Sequence, residues 1–159
     1  MEQGKYGKMK LEPEQGEIPL REGILKFPSS PEGEPHLIAS KCKSCGDIAF
    51  PPKVFCGKCE GEETEEFLLS NRAKVYTYTI VHQMGIPGIE VPYALVIVKF
   101  PEDEELLIAG QITGCNPEEV KIGMEVETVI DKVRSGILGF LTGESRDVIG
   151  YKFRPVGKT

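Results

Sequence analysis

Lys41–Glu60, KCKSCGDIAFPPKVFCGKCE, places four of the chain's five cysteines in two C-x-x-C pairs separated by ten residues. Two residues between cysteines form a tight knuckle that aims both sulfurs at one point. Two facing knuckles then supply four thiolates at the corners of a tetrahedron around one Zn²⁺, which is a zinc ribbon pattern. Cys42, Cys45, Cys56 and Cys59 are the expected ligands. Gly46, directly after Cys45, and Gly57, inside the second pair, fall where such turns favour a residue without a Cβ. Lys41, Lys43, Lys53 and Lys58 surround the cluster and are expected to help stabilise a unit of four thiolates and one Zn²⁺, whose net charge is −2. Sulfur fills all four corners, so the metal reads as structural rather than catalytic. Two disulfides are the competing reading, but they seldom persist in a reducing compartment. A redox C-x-x-C needs a βαβ context that the sequence lacks. An iron centre of rubredoxin type uses the same four ligands; Zn²⁺ is preferred, and the sequence leaves the choice of ion open.

Outside the cluster the chain has the balance of a globular protein, with 40% apolar and 28% charged residues among 159. The first residues, MEQGKYGKMKLEPEQGE, carry no apolar core of the kind a secretory leader needs. The longest apolar run, Tyr93 to Val98, is far too short to span a bilayer. A soluble, cytoplasmic protein with no membrane contact is expected. The formal net charge is −6. Residues 67 to 133 hold 5 Lys/Arg against 10 Asp/Glu, a difference of −5, and only residues 134 to 159 are basic, with 5 against 2. An acidic body repels phosphate backbones, so nucleic acid is an unlikely partner on charge.

Composition divides the chain into three parts. Residues 1–36 are rich in Glu, Pro and Gly around one apolar patch, GILKF, and read as an extended arm. Residues 37–66 form the ribbon, entered by a strand from His36 to Ser40 and left through EGEETEE, Glu60 to Glu66, a solvated acidic connector. Residues 67–159 change to strand texture. KVYTYTIVH (Lys74 to His82), YALVIVKF (Tyr93 to Phe100), ELLIAGQI (Glu105 to Ile112), MEVETVIDKV (Met124 to Val133) and DVIGYKFRPV are five strand candidates separated by turn chemistry. One short helix is expected in CNPEEVKIG, with Asn116 as N-cap, Pro117 at its first position, Glu118 and Glu119 in its first turn and Gly123 stopping it. Five strands in about ninety residues suit a small closed barrel, with a sandwich as the alternative.

No nucleophile, base and acid recur at a motif spacing, and there is no glycine-rich phosphate loop. His82 ends a strand before a Gly/Pro loop. Tyr76 and Tyr78, two apart on that strand, are expected on one face. These three are candidates for a ligand groove, and the tyrosines resemble the stacking aromatics of single-strand-binding folds, although packing or protein contact is the preferred reading. Cys115 stands alone and reads as a small, partly buried residue. In GILGFLTG (Gly136 to Gly143), Ile137, Leu138, Phe140 and Leu141 cluster outside any strand alternation. They either plug the barrel or face a partner protein.

ASKCKSCGDIAFPPKVFCGKC, AKVYTYTIVH, VPYALVIVKF, TGCNPEEVKIGMEVE and YKFRPV recur in this order in a family of small proteins that join a rubredoxin-like zinc ribbon to a C-terminal OB-fold, and from about Arg21 onward the chain resembles that family. The resemblance implies a mainly β protein: an N-terminal arm, the ribbon, then a five-stranded OB-fold barrel, with one structural Zn²⁺ per chain. Cys56-Gly57-Lys58-Cys59 departs from the family's usual Cys-Pro-x-Cys but keeps both ligands. A larger departure is an insertion of roughly fifteen residues near 134–148, to which the resemblance assigns no role. Family members are similar to non-catalytic partners of thiolase-superfamily enzymes, among them the benzoylsuccinyl-CoA thiolase of anaerobic toluene degradation. The implied function is an accessory subunit of a hetero-oligomeric, acyl-CoA-handling acyltransferase complex that docks on the catalytic subunit and helps to shape its active site or the route of its CoA substrate. The alternative is an OB-fold nucleic-acid-binding module, since a fold does not fix a function.

Overall fold

Where apolar and polar residues alternate at a period of two, the backbone is extended. The computed structural model describes residues 13–83, 87–136 and 146–157. Its strands are β1 (Glu17–Pro19), β2 (Leu25–Lys26), β3 (His36–Cys42), β4 (Ile48–Ala49), β5 (Thr64–Leu68), β6 (Arg72–Val81), β7 (Tyr93–Phe100), β8 (Asp103–Gln111), β9 (Glu125–Arg134) and β10 (Asp147–Pro155). Among the described residues there is no α-helix, and none long and apolar enough to cross a membrane. The expected helix is one 3₁₀ turn, Pro117–Glu119, in the link between β8 and β9. Its start is as anticipated. The Asn116 side chain accepts from the Glu118 N–H at 3.2 Å, and Glu119 reaches back to the Asn116 N–H at 2.9 Å. The helix stops early because Val120 returns to extended backbone and is buried, and Gly123 then turns at φ +84°.

The larger sheet has the order β1-β10-β9-β6-β7-β8. It curls because one face is packed. Ala94, Val96, Val98 and Phe100 alternate inward along β7 and meet Val75, Ile108, Val126 and Phe153. The edges β8 and β10 approach through a parallel bridge, Ile112 with Phe153, through the Thr113 N–H donating to the Phe153 carbonyl at 2.8 Å, and through the Tyr151 hydroxyl donating to the Ala109 carbonyl at 2.8 Å. Gly110 permits this closure, since a Cβ there would stand 2.6 Å from the Phe153 ring. Strands β6 to β10 in this arrangement are the OB-fold barrel.

The ribbon hangs on β3, which pairs antiparallel with β2, β4 and β5. Part of the acidic stretch read as connector belongs to this sheet. Thr64, Glu65 and Glu66 lie in β5 and face Cys42, Lys41 and Ser40 in register, because a partner strand satisfies their backbone while their side chains stay near solvent. Leu37, Ala39, Ile48 and Leu69 are buried in the same cluster as the barrel residues Val75, Phe100 and Phe153. Phe50 meets Tyr151 edge-on at 5.8 Å between ring centroids. The described part of the arm is also tied down. β1 runs parallel to β10, β2 pairs with β3, and Ile24 is buried between them.

Polar groups fix the junction. Asn71, buried between β5 and β6, donates from Nδ2 to the carbonyls of Pro35 and Thr128, both at 2.9 Å, while its backbone carbonyl accepts from the Thr128 N–H at 2.8 Å. Beside it Glu102 accepts from the Ser70 N–H at 2.7 Å and from the Ser70 hydroxyl. A ring nitrogen of His36 lies 2.8 Å from the Leu69 carbonyl. Asn71→Ala would leave two buried carbonyls without donors, and the expected loss is about 1–3 kcal/mol. Urea unfolding followed by tyrosine fluorescence measures it, and an unchanged midpoint would show that the Asn71 bonds do not clamp the junction.

Candidate metal centre

Cys42 closes β3, and its N–H donates to the Asp47 carbonyl at 2.9 Å, while the Gly46 N–H donates to the Cys42 carbonyl at 2.9 Å. These bonds fold residues 42–47 into the first knuckle. Gly46 has φ +76°, so the glycine anticipated there is needed. The second knuckle is held by the Cys56 N–H donating to the Gly61 carbonyl at 3.0 Å. Here the expectation for Gly57 needs correcting. Its φ is not positive; the position equivalent to Gly46 is Glu60, which itself turns at φ +58°.

The four Sγ atoms lie within 4.8 Å of one another, with Cys42–Cys59 and Cys45–Cys56 each at 3.6 Å, and none of the four is in a disulfide. A tetrahedron with Zn–S bonds near 2.3 Å has edges of about 3.8 Å, so the residues fit the ion. The site holds one structural zinc. Cys42 and Cys56 are buried while Cys45 and Cys59 are exposed, which places the ion at the rim of the small sheet.

The electrostatics favour a metal over bare thiols. The Cys45 N–H, ahead of several weaker contacts, lowers the Cys42 thiol to about 6. The Asp47 N–H pulls Cys45 the same way, but desolvation and the sulfurs of Cys59, Cys56 and Cys42 prevail and push it up to about 12. Four negative sulfurs this close cannot coexist without a cation. The four lysines remain around the cluster, with the Lys53 ammonium 3.8 Å from where a Cβ on Gly57 would stand. Lys43 reaches Glu63 and Lys58 reaches Asp47, both at 3.8 Å, and Lys41 lies over the Phe67 ring at 5.3 Å.

The sequence reading missed Gly61. A Cβ there would stand 3.2 Å from the Cys59 sulfur, 3.3 Å from the Ser44 hydroxyl and 3.4 Å from the Cys42 sulfur. The signal was a glycine two residues past the last cysteine, hidden by the acidic residues around it. Of the other candidates, Cys115 is half-buried against the core as expected. Tyr76 and Tyr78 are 49% and 38% exposed and His82 is exposed, but the three do not converge, since six residues of strand separate Tyr76 from His82 by roughly 20 Å. The same-face argument for the two tyrosines also fails as stated, because the β6–β7 register shifts between Val75 and Thr77 and a bulge at Tyr76 breaks the alternation. Ile137, Leu138, Phe140 and Leu141 lie outside the described residues.

Zinc analysis of the purified chain should give one ion per molecule. Cys59→Ser should lose it and melt the ribbon, because binding energies of about 10–16 kcal/mol in such modules are folding energy. Gly61→Ala should weaken zinc about tenfold through contact with two ligand sulfurs. A chain that keeps its circular dichroism and melting temperature after complete zinc removal would contradict this account.

Comparison with known proteins places these features in one group. Residues 30–65 match the family described as the rubredoxin-like zinc ribbon domain of ChsH2, and residues 68–131 match the C-terminal OB-fold domain of ChsH2. A DUF35 domain-containing scaffold protein of Methanocaldococcus jannaschii is 40% identical over 76% of this chain and 82% of its own length. The benzoylsuccinyl-CoA thiolase subunit BbsA of Thauera aromatica is 34% identical over 77% of this chain and 78% of its own. Among solved structures, the Ltp2-ChsH2(DUF35) aldolase shares the fold, with a TM-score of 0.57 at 22% identity over 76% of this chain and 84% of that one. With both halves matched in order and the four metal-binding cysteines assembled, the chain belongs to the ChsH2-type DUF35 family of zinc-ribbon and OB-fold proteins.

Proposed function

We propose that the chain is a non-catalytic accessory subunit of an acyl-CoA enzyme complex, docking on a thiolase-type catalytic subunit and helping to shape its active site or the route of its CoA substrate. The closed metal centre carries this reading: four sulfurs fill the coordination sphere, so the ion offers no position to water or substrate. The remaining chemistry is sparse among the described residues. His36 is engaged with the Leu69 carbonyl, and His82 and the half-buried Cys115 lie on separate elements. Relatives named as a scaffold protein and as a thiolase subunit support a role exercised in a complex rather than alone. A nucleic-acid role is weaker, because the Lys99 ammonium lies 4.3 Å from the Tyr76 ring centroid, over the face a base would need.

Co-expression with a thiolase-superfamily protein encoded beside it tests the reading. The two should co-elute on size exclusion, acyl transfer should require both, and the isolated chain should show no turnover. Separate elution, or turnover by this chain alone, would sink it.

A further inference from the structure

Residues 67–133 carry only five basic side chains, Arg72, Lys74, Lys99, Lys121 and Lys132, against ten acidic ones. Three of the five gather on one side of the barrel. Arg72, Lys74 and Lys99 line a groove of about 550 Å³ whose floor is Ala73, Phe100 and Pro101, with Glu104 and Glu125 also at its rim. The approach to β9 borders this surface: the Val75 N–H donates to the Met124 carbonyl at 2.9 Å and the Gly123 N–H to the Val75 carbonyl at 2.8 Å, at a turn where the Met124 N–H donates to the Lys121 carbonyl at 3.2 Å.

Two features make the arrangement costly for the free protein. Lys74 and Lys99 are direct register partners across β6 and β7, and like charges directly opposite destabilise a sheet. Among the described residues no carboxylate lies within 4 Å of Arg72, Lys74 or Lys99 as an ion pair; Glu127, in register with Arg72, is instead held by Arg154 at 2.9 Å. Beside these cations, Tyr76 is 49% exposed. Lys74 also has Glu125 opposite it on the β9 side, so the groove holds three cations against two carboxylates, none joined as an ion pair, and Lys99 lies over the exposed Tyr76 ring; Tyr and Arg are residues on which interface energy concentrates.

We propose that Arg72, Lys74 and Lys99, with Tyr76 beside them, form the surface that docks an acidic, apolar-containing segment of the catalytic subunit. This rests on the reading of the chain as a subunit of such a complex. Charge complementarity selects the occupant: carboxylates would neutralise the opposed lysines, and Phe100 and Pro101 would floor the site for an apolar side chain. The Lys99 ammonium over Tyr76 disfavours stacked bases, and docking of a second copy of this acidic chain would show as self-association of the wild-type chain lost in Lys99→Glu, which would overturn the proposal.

The test measures affinity between separately purified catalytic subunit and wild-type chain, Lys99→Glu, and Arg72→Glu/Lys99→Glu, at low and physiological salt, with melting temperatures alongside. Lys99→Glu should weaken the complex about tenfold and the double variant further, with the wild-type salt dependence reduced. Its melting temperature should not fall, because the substitution turns the opposed lysines into an opposite-charge pair. Equal affinity of wild type and both variants would overturn the proposal while leaving the subunit reading intact. Should the wild-type chain form no complex, the subunit reading fails, and a fluorescein-labelled peptide of alternating Glu and Leu decides for the groove: binding lost in Lys99→Glu upholds it, and no binding by wild type overturns it. Tight binding of an oligothymidylate at low salt, abolished by Lys99→Glu, would also overturn it in favour of nucleic acid.

Discussion

Strand β3 is the constraint on which the rest depends. At one end Cys42 supplies a sulfur to the metal; within it Leu37 and Ala39 enter the core that Val75, Phe100 and Phe153 build in the barrel. Its backbone meanwhile pairs with β2, β4 and β5. A segment this short cannot support a core of its own, so the zinc and the barrel each supply half of what β3 needs. Neither half is free to tilt, because the strand that carries the ligand also fills the core.

The junction adds direction to that coupling. Hydrophobic burial is indifferent to small rotations, whereas hydrogen bonds from one Asn71 side chain to the carbonyls of Pro35 and Thr128 are not. Glu102 accepting from Ser70 and the contact of His36 with the Leu69 carbonyl work on the same few residues. A fixed angle between ribbon and barrel has a consequence at the surface, since any face formed by both modules exists only while that angle is held.

The features legible in the sequence were those set by local spacing. Two C-x-x-C pairs give a tetrahedral sulfur cage wherever they fold, and β-branched runs such as YALVIVKF become buried strands with little help from the rest of the chain. The cap at Asn116 was legible for the same reason. What escaped depended on residues far apart in the chain. Gly61 matters because two sulfurs and Ser44 approach it, and Gly110 because Phe153, more than forty residues later, lies against it. The acidic stretch after the ribbon looked like a linker because its side chains are charged, yet its backbone is claimed by β3. A bulge at Tyr76 is likewise invisible to counting by twos.

Electrostatics follow the same division between local pattern and three-dimensional placement. Net charge said that the barrel is acidic; only register showed that its few cations converge, with Lys74 facing Lys99. Opposed like charges weaken a sheet locally, while Glu125 faces Lys74 from the β9 side, so Lys74 sits between neighbours of opposite sign. In the complex proposed above, negative charge brought by the partner would offset the opposed lysines beyond what Glu104 and Glu125 at the groove supply.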